Sequence, residues 1–254
     1  MRRHTDTITM STVTRGRLLY RSQVEYANYA VNHYWGCQHA CTYCSAMLNS
    51  IRRKKHRDRS DWASPRIVKD AIPQLERELS HPPKDLAWVW LSPVTDPYQP
   101  IEDTVHLTRG ILKVLITHKV PTWILTKSVG ILQDAELIIE NRGLISVGFT
   151  ITTLDEDIRR KYEPNASPVW NRVRALEYFH KHDVKTRCSV EPILDDHLTA
   201  ILDTLKDDVD FWYFGKDNYA NRSLPYKNLR DEIIAWFHKH DMTNYLIKKE
   251  LLNA

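Results

Sequence analysis

Apolar residues along this chain follow two rhythms in alternation. Val24–Tyr34, Leu86–Leu91, Thr122–Ser128, Ile145–Thr153, Lys185–Leu194 and Asp210–Lys216 are short runs rich in β-branched and aromatic residues, and read as strands. Between them apolar residues recur at helical spacing: Ile67, Ile72, Leu75 and Leu79, then Leu107, Ile111, Leu112 and Leu115 behind Asp103 as a cap. Further helices are predicted over 132–141, 155–163, 168–182 and 198–207, and an amphipathic helical tail carries Leu229, Ile233, Trp236 and Phe237 on one side. Residues 1–24 read as a polar N-terminal extension, residues 25–216 as the main domain, and 217–254 as a C-terminal helical segment. Six strands alternating with helices predict an α/β protein with a parallel sheet. The alternation alone does not separate an open doubly wound sheet from a barrel.

Composition narrows the class. Hydrophobic residues at 42% and charged residues at 27% are ordinary globular values, and 254 residues bury a sizeable core. Only 7 glycines occur, which argues against a glycine-rich phosphate loop, while 8 tryptophans and 12 tyrosines argue against disorder. A net charge of +4 is compatible with a nucleic-acid partner without requiring one. No apolar run reaches the ~18–20 residues of a membrane span. The polar start Met1-Arg-Arg-His lacks a signal-peptide core, so a cytoplasmic protein is expected.

The candidate chemistry gathers in one stretch. Cys37, Cys41 and Cys44 are three of the four cysteines, spaced CxxxCxxC, and Cys188 is far away. Three close thiolates without a fourth suit a [4Fe–4S] cubane that leaves one iron open, whereas closed electron-transfer clusters use four cysteines. Zinc, with His39 as fourth ligand, is the competing reading. Disulfides do not account for three clustered cysteines in a reducing compartment.

The stretch Tyr29-Ala-Val-Asn-His-Tyr-Trp-Gly-Cys37-Gln-His39-Ala-Cys41-Thr-Tyr43-Cys44 resembles the entry motif of radical S-adenosylmethionine (SAM) enzymes, in the branch that contains spore photolyase. His33, Trp35 and Ser45 depart from that branch's usual proline, arginine and aromatic. Blocks resembling the same branch follow in order at Thr95–Pro100, Ile124–Ser128, Gly148–Thr153 and Glu191–Leu194. The resemblance implies a partial (β/α)6 barrel of the radical SAM kind. It also implies a [4Fe–4S] cluster on Cys37, Cys41 and Cys44, SAM as co-substrate, and a reducing electron donor such as flavodoxin or ferredoxin.

In parallel βα folds functional groups collect at the carboxyl ends of strands. Ser92 and Asp96, Lys127 and Ser128, Thr150, Cys188 and Glu191, and Lys216 all fall there. Within the resemblance, Lys127 would meet the SAM carboxylate, and Asp96 or Glu191 its ammonium or ribose hydroxyls. Tyr43 would pack near the adenine, with Ser92, Ser128 and Thr150 completing the site. Cys188 reads first as a buried small hydrophobe; a side chain turned into the barrel would instead be a hydrogen donor to a substrate radical. Spore photolyase uses such a cysteine just past strand two, where this chain has none. A nucleic-acid lesion is one implied substrate, and the basic run Arg52–Arg57 is either a solvated surface or a phosphate patch. Trp35, Trp88 and Trp90 read mainly as core. The rival function is a non-enzymatic nucleic-acid-binding protein with a structural zinc or iron–sulfur site.

Overall fold

The computed structural model describes residues 11–24, 27–219 and 224–254. Its strands are β1 (Thr12–Val13), β2 (Leu19–Arg21), β3 (Tyr29–Val31), β4 (Tyr34–Trp35), β5 (Arg66–Val68) and β6 (Val89–Leu91), followed by β7 (Thr122–Thr126), β8 (Ile145–Thr150), β9 (Lys185–Val190), β10 (Phe211–Phe214) and β11 (Tyr245–Ile247). One sheet runs β11-β10-β9-β8-β7-β6-β3-β2, with every neighbouring pair parallel except β2 against β3. A smaller sheet of order β1-β5-β4 stands beside it.

The large sheet curls. Trp123 of β7 and Tyr213 of β10 have ring centroids 5.4 Å apart. In a flat sheet three strand spacings of about 4.8 Å would hold them roughly 14 Å apart. Trp90 of β6 stacks on Trp123 at 4.7 Å, so strands from both arms meet across one interior. Gly148 makes room there, since a Cβ at that position would lie 3.2 Å from the Trp123 Nε1. β2 and β11 do not pair among the described residues, which leaves a partial barrel open on that side. Every residue of β8 is buried, as expected of a parallel strand covered on both faces. Helices Ala71–Leu79, Leu107–Thr117, Val169–Lys181, Leu198–Leu205 and Tyr226–Lys239 pack their apolar faces on the outside.

The six expected parallel strands are present, with corrections at the edges. Residues 12–13 and 19–21 of the expected extension are strands, and Leu18 and Leu19 are buried against the core. The amides of Leu18 and Leu19 donate to the Glu78 carboxylate at 2.9 and 2.6 Å, which fixes that segment although its composition is polar. Residues 1–10 of the expected extension, and Glu25 and Tyr26 of the expected first strand, lie outside the described residues. Asp103 does not cap the next helix: it sits inside the short helix Glu102–Val105, and helix Leu107–Thr117 starts at His106 without a side-chain cap. The tail is not wholly helical. Tyr245–Ile247 adds a seventh parallel strand beside β10, three residues being too short to imprint a period.

Candidate active site

A cavity of about 270 Å³ opens at the carboxyl ends of the parallel strands. Cys37, Cys41, Tyr43 and Cys44 line one wall, with Ser92, Asp96, Lys127 and Thr150 beside them; Ser189, Glu191, Lys216, Tyr219 and Lys248 line the other, and Trp90 is at the floor.

The cysteine loop is held from several sides. Gly36 has φ +101°, and a Cβ there would lie 2.5 Å from the Trp62 carbonyl oxygen, so only glycine lets the chain enter. The Cys37 amide donates to that same oxygen at 2.9 Å. Gln99 accepts from the Gln38 amide at 2.8 Å, and the Asn165 side chain donates to the Gln38 carbonyl at 2.9 Å. His39 lies 3.0 Å from the Asn165 carbonyl through Nδ1 and 3.2 Å from Asp96 through Nε2. Cys44 caps helix Ser45–Arg52, its sulfur accepting from the Met47 amide at 3.4 Å.

Asp96 is the junction between the cysteine loop and β7. Its Oδ1 accepts from Thr126 Oγ1 at 2.6 Å and the Tyr98 amide at 2.9 Å, while Oδ2 accepts from the Lys127 amide at 2.8 Å. Burial pushes its carboxyl up, but the His39 charge and these hydrogen bonds prevail and hold it at about 2. Lys127 Nζ lies 5.7 Å from the Tyr43 ring centroid. Burial alone would lower its pKa; Cys41, Glu163 and Asp96 surround it with negative charge and raise it instead.

Below Tyr43 lies a feature the sequence reading missed. Tyr43 donates its hydroxyl hydrogen to Glu163, which also accepts from Thr152 at 3.2 Å and pairs with Arg172 at 2.6 Å. Both charged side chains are fully buried. Arg172 spends its other donors on the Thr150 and Ser167 carbonyls, each at 2.8 Å. The signal was legible: Arg172 falls between Val169, Val173 and Leu176 on the apolar stripe of its helix. A charge there implies a buried partner.

Other expected site residues have different surroundings. Ser128 does not line the cavity; its Oγ accepts from the Gly130 amide at 3.0 Å and caps the turn of 3-10 helix Val129–Asp134. Ser92 lines it, but its hydroxyl lies 3.4 Å from His33 Nδ1. Cys188 is fully buried in the core on the helix side of β9, while its neighbour Ser189 faces the cavity. Strand alternation turns Cys188 away from the cavity, the buried position expected of a small hydrophobe. Glu191 does line the cavity, pairing with Lys248 at 3.0 Å and accepting from Ser189 at 3.0 Å. Lys248 comes from the end of β11 and was not anticipated.

The thiol set suits a cluster. Burial raises the Cys37 thiol, and the negative forms of Asp96, Cys41 and Cys44 raise it further; burial likewise takes Cys41 up to about 12. Two buried thiols and a half-buried third that repel one another as anions are stabilised by a cationic group bound among them. No three His, Cys, Asp or Glu side chains among the described residues converge as ligands of one ion. A cubane asks for less convergence than zinc, because each of its thiolates binds a different iron.

A partial parallel barrel whose rim carries three such cysteines defines a scaffold for cofactor-driven radical chemistry. The chain belongs to the radical SAM superfamily, whose family model matches residues 31–207. That family uses a [4Fe–4S] cluster and SAM, and these are this chain's cofactors. An uncharacterized protein of Methanocaldococcus jannaschii is 32% identical over 190 residues, covering 74% of this chain and 70% of the relative. An uncharacterized protein of Mycobacterium tuberculosis is 29% identical over 188 residues; the match covers 68% of this chain but only 54% of the relative. Among solved structures, spore photoproduct lyase complexed with dinucleoside spore photoproduct superposes with a TM-score of 0.66 at 14% identity, over 93% of this chain and 80% of that one. Streptococcus suis SuiB bound to S-adenosylmethionine gives 0.53 at 11% identity, over 63% and 39%. At these identities the likeness establishes the fold alone. No helix among the described residues is long and apolar enough to cross a membrane.

Proposed function

We propose that this protein reductively cleaves SAM at a [4Fe–4S] cluster held by Cys37, Cys41 and Cys44 and directs the resulting radical onto a nucleic-acid lesion. The observation that carries the reading is the convergence of the three cysteines, Tyr43 and Lys127 on one cavity at the strand ends. When bound and reduced, the cluster supplies the electron that breaks a carbon–sulfur bond of SAM to give the 5′-deoxyadenosyl radical.

The residues have separate tasks. Lys127, kept cationic by its anionic neighbours, meets the SAM carboxylate. Tyr43, fixed through Glu163, presents its ring to the adenine. Asp96 has its oxygens occupied by Thr126, Tyr98, Lys127 and His39, and so acts by positioning the loop. Glu191 takes the ribose hydroxyls or the ammonium from the opposite wall, and Thr150 lines the cavity beside Lys127. Trp90 and Trp123 seal the floor against water.

Support for a nucleic-acid substrate comes from the sequence blocks that resemble the spore photolyase branch and from Lys216 in the cavity lining. The cavity is near the lower end of the roughly 300–1,000 Å³ of small-molecule sites, so a polymer would insert only its reacting part. Apart from the ligands, the chain's remaining cysteine is in the core, so a product radical receives its hydrogen from a group other than a protein thiol. The reaction needs a reducing electron donor such as flavodoxin or ferredoxin and suits the cytoplasm. Anaerobic reconstitution with iron and sulfide, followed by reduction with SAM, should yield 5′-deoxyadenosine and an EPR spectrum altered by SAM. A protein that binds zinc stably and releases no 5′-deoxyadenosine would replace this reading with a binding module. Affinity for damaged duplex DNA that falls steeply with salt tests the substrate class.

A further inference from the structure

We infer that the outer side of the cysteine loop, centred on Thr42, is the docking surface of an acidic one-electron carrier protein. The inference rests on Cys37, Cys41 and Cys44 holding the cluster. Thr42 stands between two of those cysteines but does not line the cavity. It is bracketed by cationic residues: Arg59 donates to its carbonyl oxygen at 3.4 Å, and its amide donates to the Tyr162 carbonyl at 2.9 Å. Lys161 lies 5.0 Å from the Tyr162 ring centroid. Helix Ser45–Arg52, capped by Cys44, leads from the cluster loop to the exposed run Arg52, Arg53, Lys54 and Lys55, about 12 Å away at 1.5 Å per residue. Of the two acids that follow the run, Asp61 is engaged by Arg66 at 2.7 Å and by the Arg57 amide at 2.9 Å, and Asp58 caps helix Arg59–Trp62, accepting from the Asp61 amide at 2.9 Å, so the four cations of the run stay in excess.

Placement favours an electron carrier over a substrate. A substrate must enter the cavity, where helix Ser45–Arg52 contributes only Ser45 and Ala46 at its first turn. An electron donor needs only to approach the loop from outside, and Thr42 is half-buried and apart from the cavity lining. The step moves one electron from the carrier's reduced group to the oxidised cluster, with no bond made or broken. A cationic rim would orient an acidic carrier and raise its encounter rate.

The test compares reduction of the reconstituted cluster by flavodoxin hydroquinone and by dithionite in stopped-flow, using wild type and Arg53→Glu/Lys161→Glu. Flavodoxin reduction of the variant should slow at least about tenfold at low ionic strength, the gap closing with salt, while dithionite reduction stays unchanged. Equal flavodoxin rates in the two proteins would overturn the inference. So would a variant that loses duplex-DNA affinity while keeping its flavodoxin rate, since the patch then serves a polyanion. Wild-type protein that takes up no dithionite-reducible cluster would mark the failure of the cluster assignment itself.

Discussion

The two walls of the cavity are built by different means. On the cluster wall the cysteine loop is tied to Gln99, Asn165, His39 and Asp96, and Tyr43 to a fully buried Glu163–Arg172 pair. On the opposite wall Glu191 is oriented by Ser189 and by Lys248, whose side chain is 31% exposed. The first wall is preorganised for groups that must not move, and the second can re-pair its charges around whatever enters. If the contrast is right, equivalent substitutions on the two walls should have very different consequences.

The largest effect is expected at the three cysteines proposed to hold the cluster. Cys41→Ala should abolish 5′-deoxyadenosine formation and lower the iron content of reconstituted protein. Cys188→Ala should keep both, losing only about 1 kcal/mol of stability for a small core cavity. Iron analysis and the product assay read the two together. A Cys188→Ala protein without cleavage activity would contradict its location on the helix side of β9.

Next in size is Glu163→Gln. It keeps the side-chain shape but leaves Arg172 charged and unpaired in the core, which costs about 3–5 kcal/mol. Urea unfolding of the apoprotein should register that loss, and adding Arg172→Met should recover part of it. A loss below 1 kcal/mol would mean that the pair is more hydrated than its burial implies.

Acid should act in two stages, first at buried His33 ahead of the cysteine loop and then at Asp96 on the cluster wall. Burial lowers His33 from 6.5 to about 3, so below pH 6.5 the unfolded chain takes up a proton that the folded chain refuses. Its contribution is full above pH 6.5 and falls by about 3 kcal/mol by pH 4.5. Asp96, held at about 2 against the usual 3.8, contributes fully above about pH 4 and loses about 2 kcal/mol as pH falls through its folded pKa. Urea midpoints measured against pH should therefore flatten between 6.5 and 4.5 in His33→Gln, and only below 4 in Asp96→Asn.

The difference between the walls also explains what the sequence made legible. The cysteines, Asp96 and Lys127 fall within or just after recognisable strand ends, so local pattern placed them. Glu163 sits in a proline-flanked loop without period, and it meets Tyr43 across 120 residues, a pairing that no window of sequence contains. Arg172 was visible as a charge on an apolar stripe, but its partner was not. The side chains of Ser128 and Cys188 do not line the cavity, because local pattern locates a strand end without fixing which face a side chain takes, and a one-residue step reverses the face. β11 was missed because a three-residue strand gains its identity from β10, not from its own composition. One cue did exist: Tyr-Leu-Ile-Lys248 is an apolar run closed by a lysine, as β7 and β10 are closed by Lys127 and Lys216 one residue further on.

Lys248→Ala gives the smallest expected effect and the sharpest check of the contrast. Its ion pair with Glu191 spans 3.0 Å, but both groups reach solvent, with side chains 31% and 14% exposed. Screening and side-chain entropy then hold the net stabilisation of such a pair to below about 1 kcal/mol. For a chain of this length that shifts the thermal midpoint by no more than about 2–4 °C. Calorimetry of the apoprotein reads the shift directly. A loss as large as that of Glu163→Gln would mean that β11 locks the far wall as firmly as Glu163 and Arg172 lock the near one. The cavity would then be rigid on both sides, and substrate choice would rest on its fixed shape rather than on a movable charge pair.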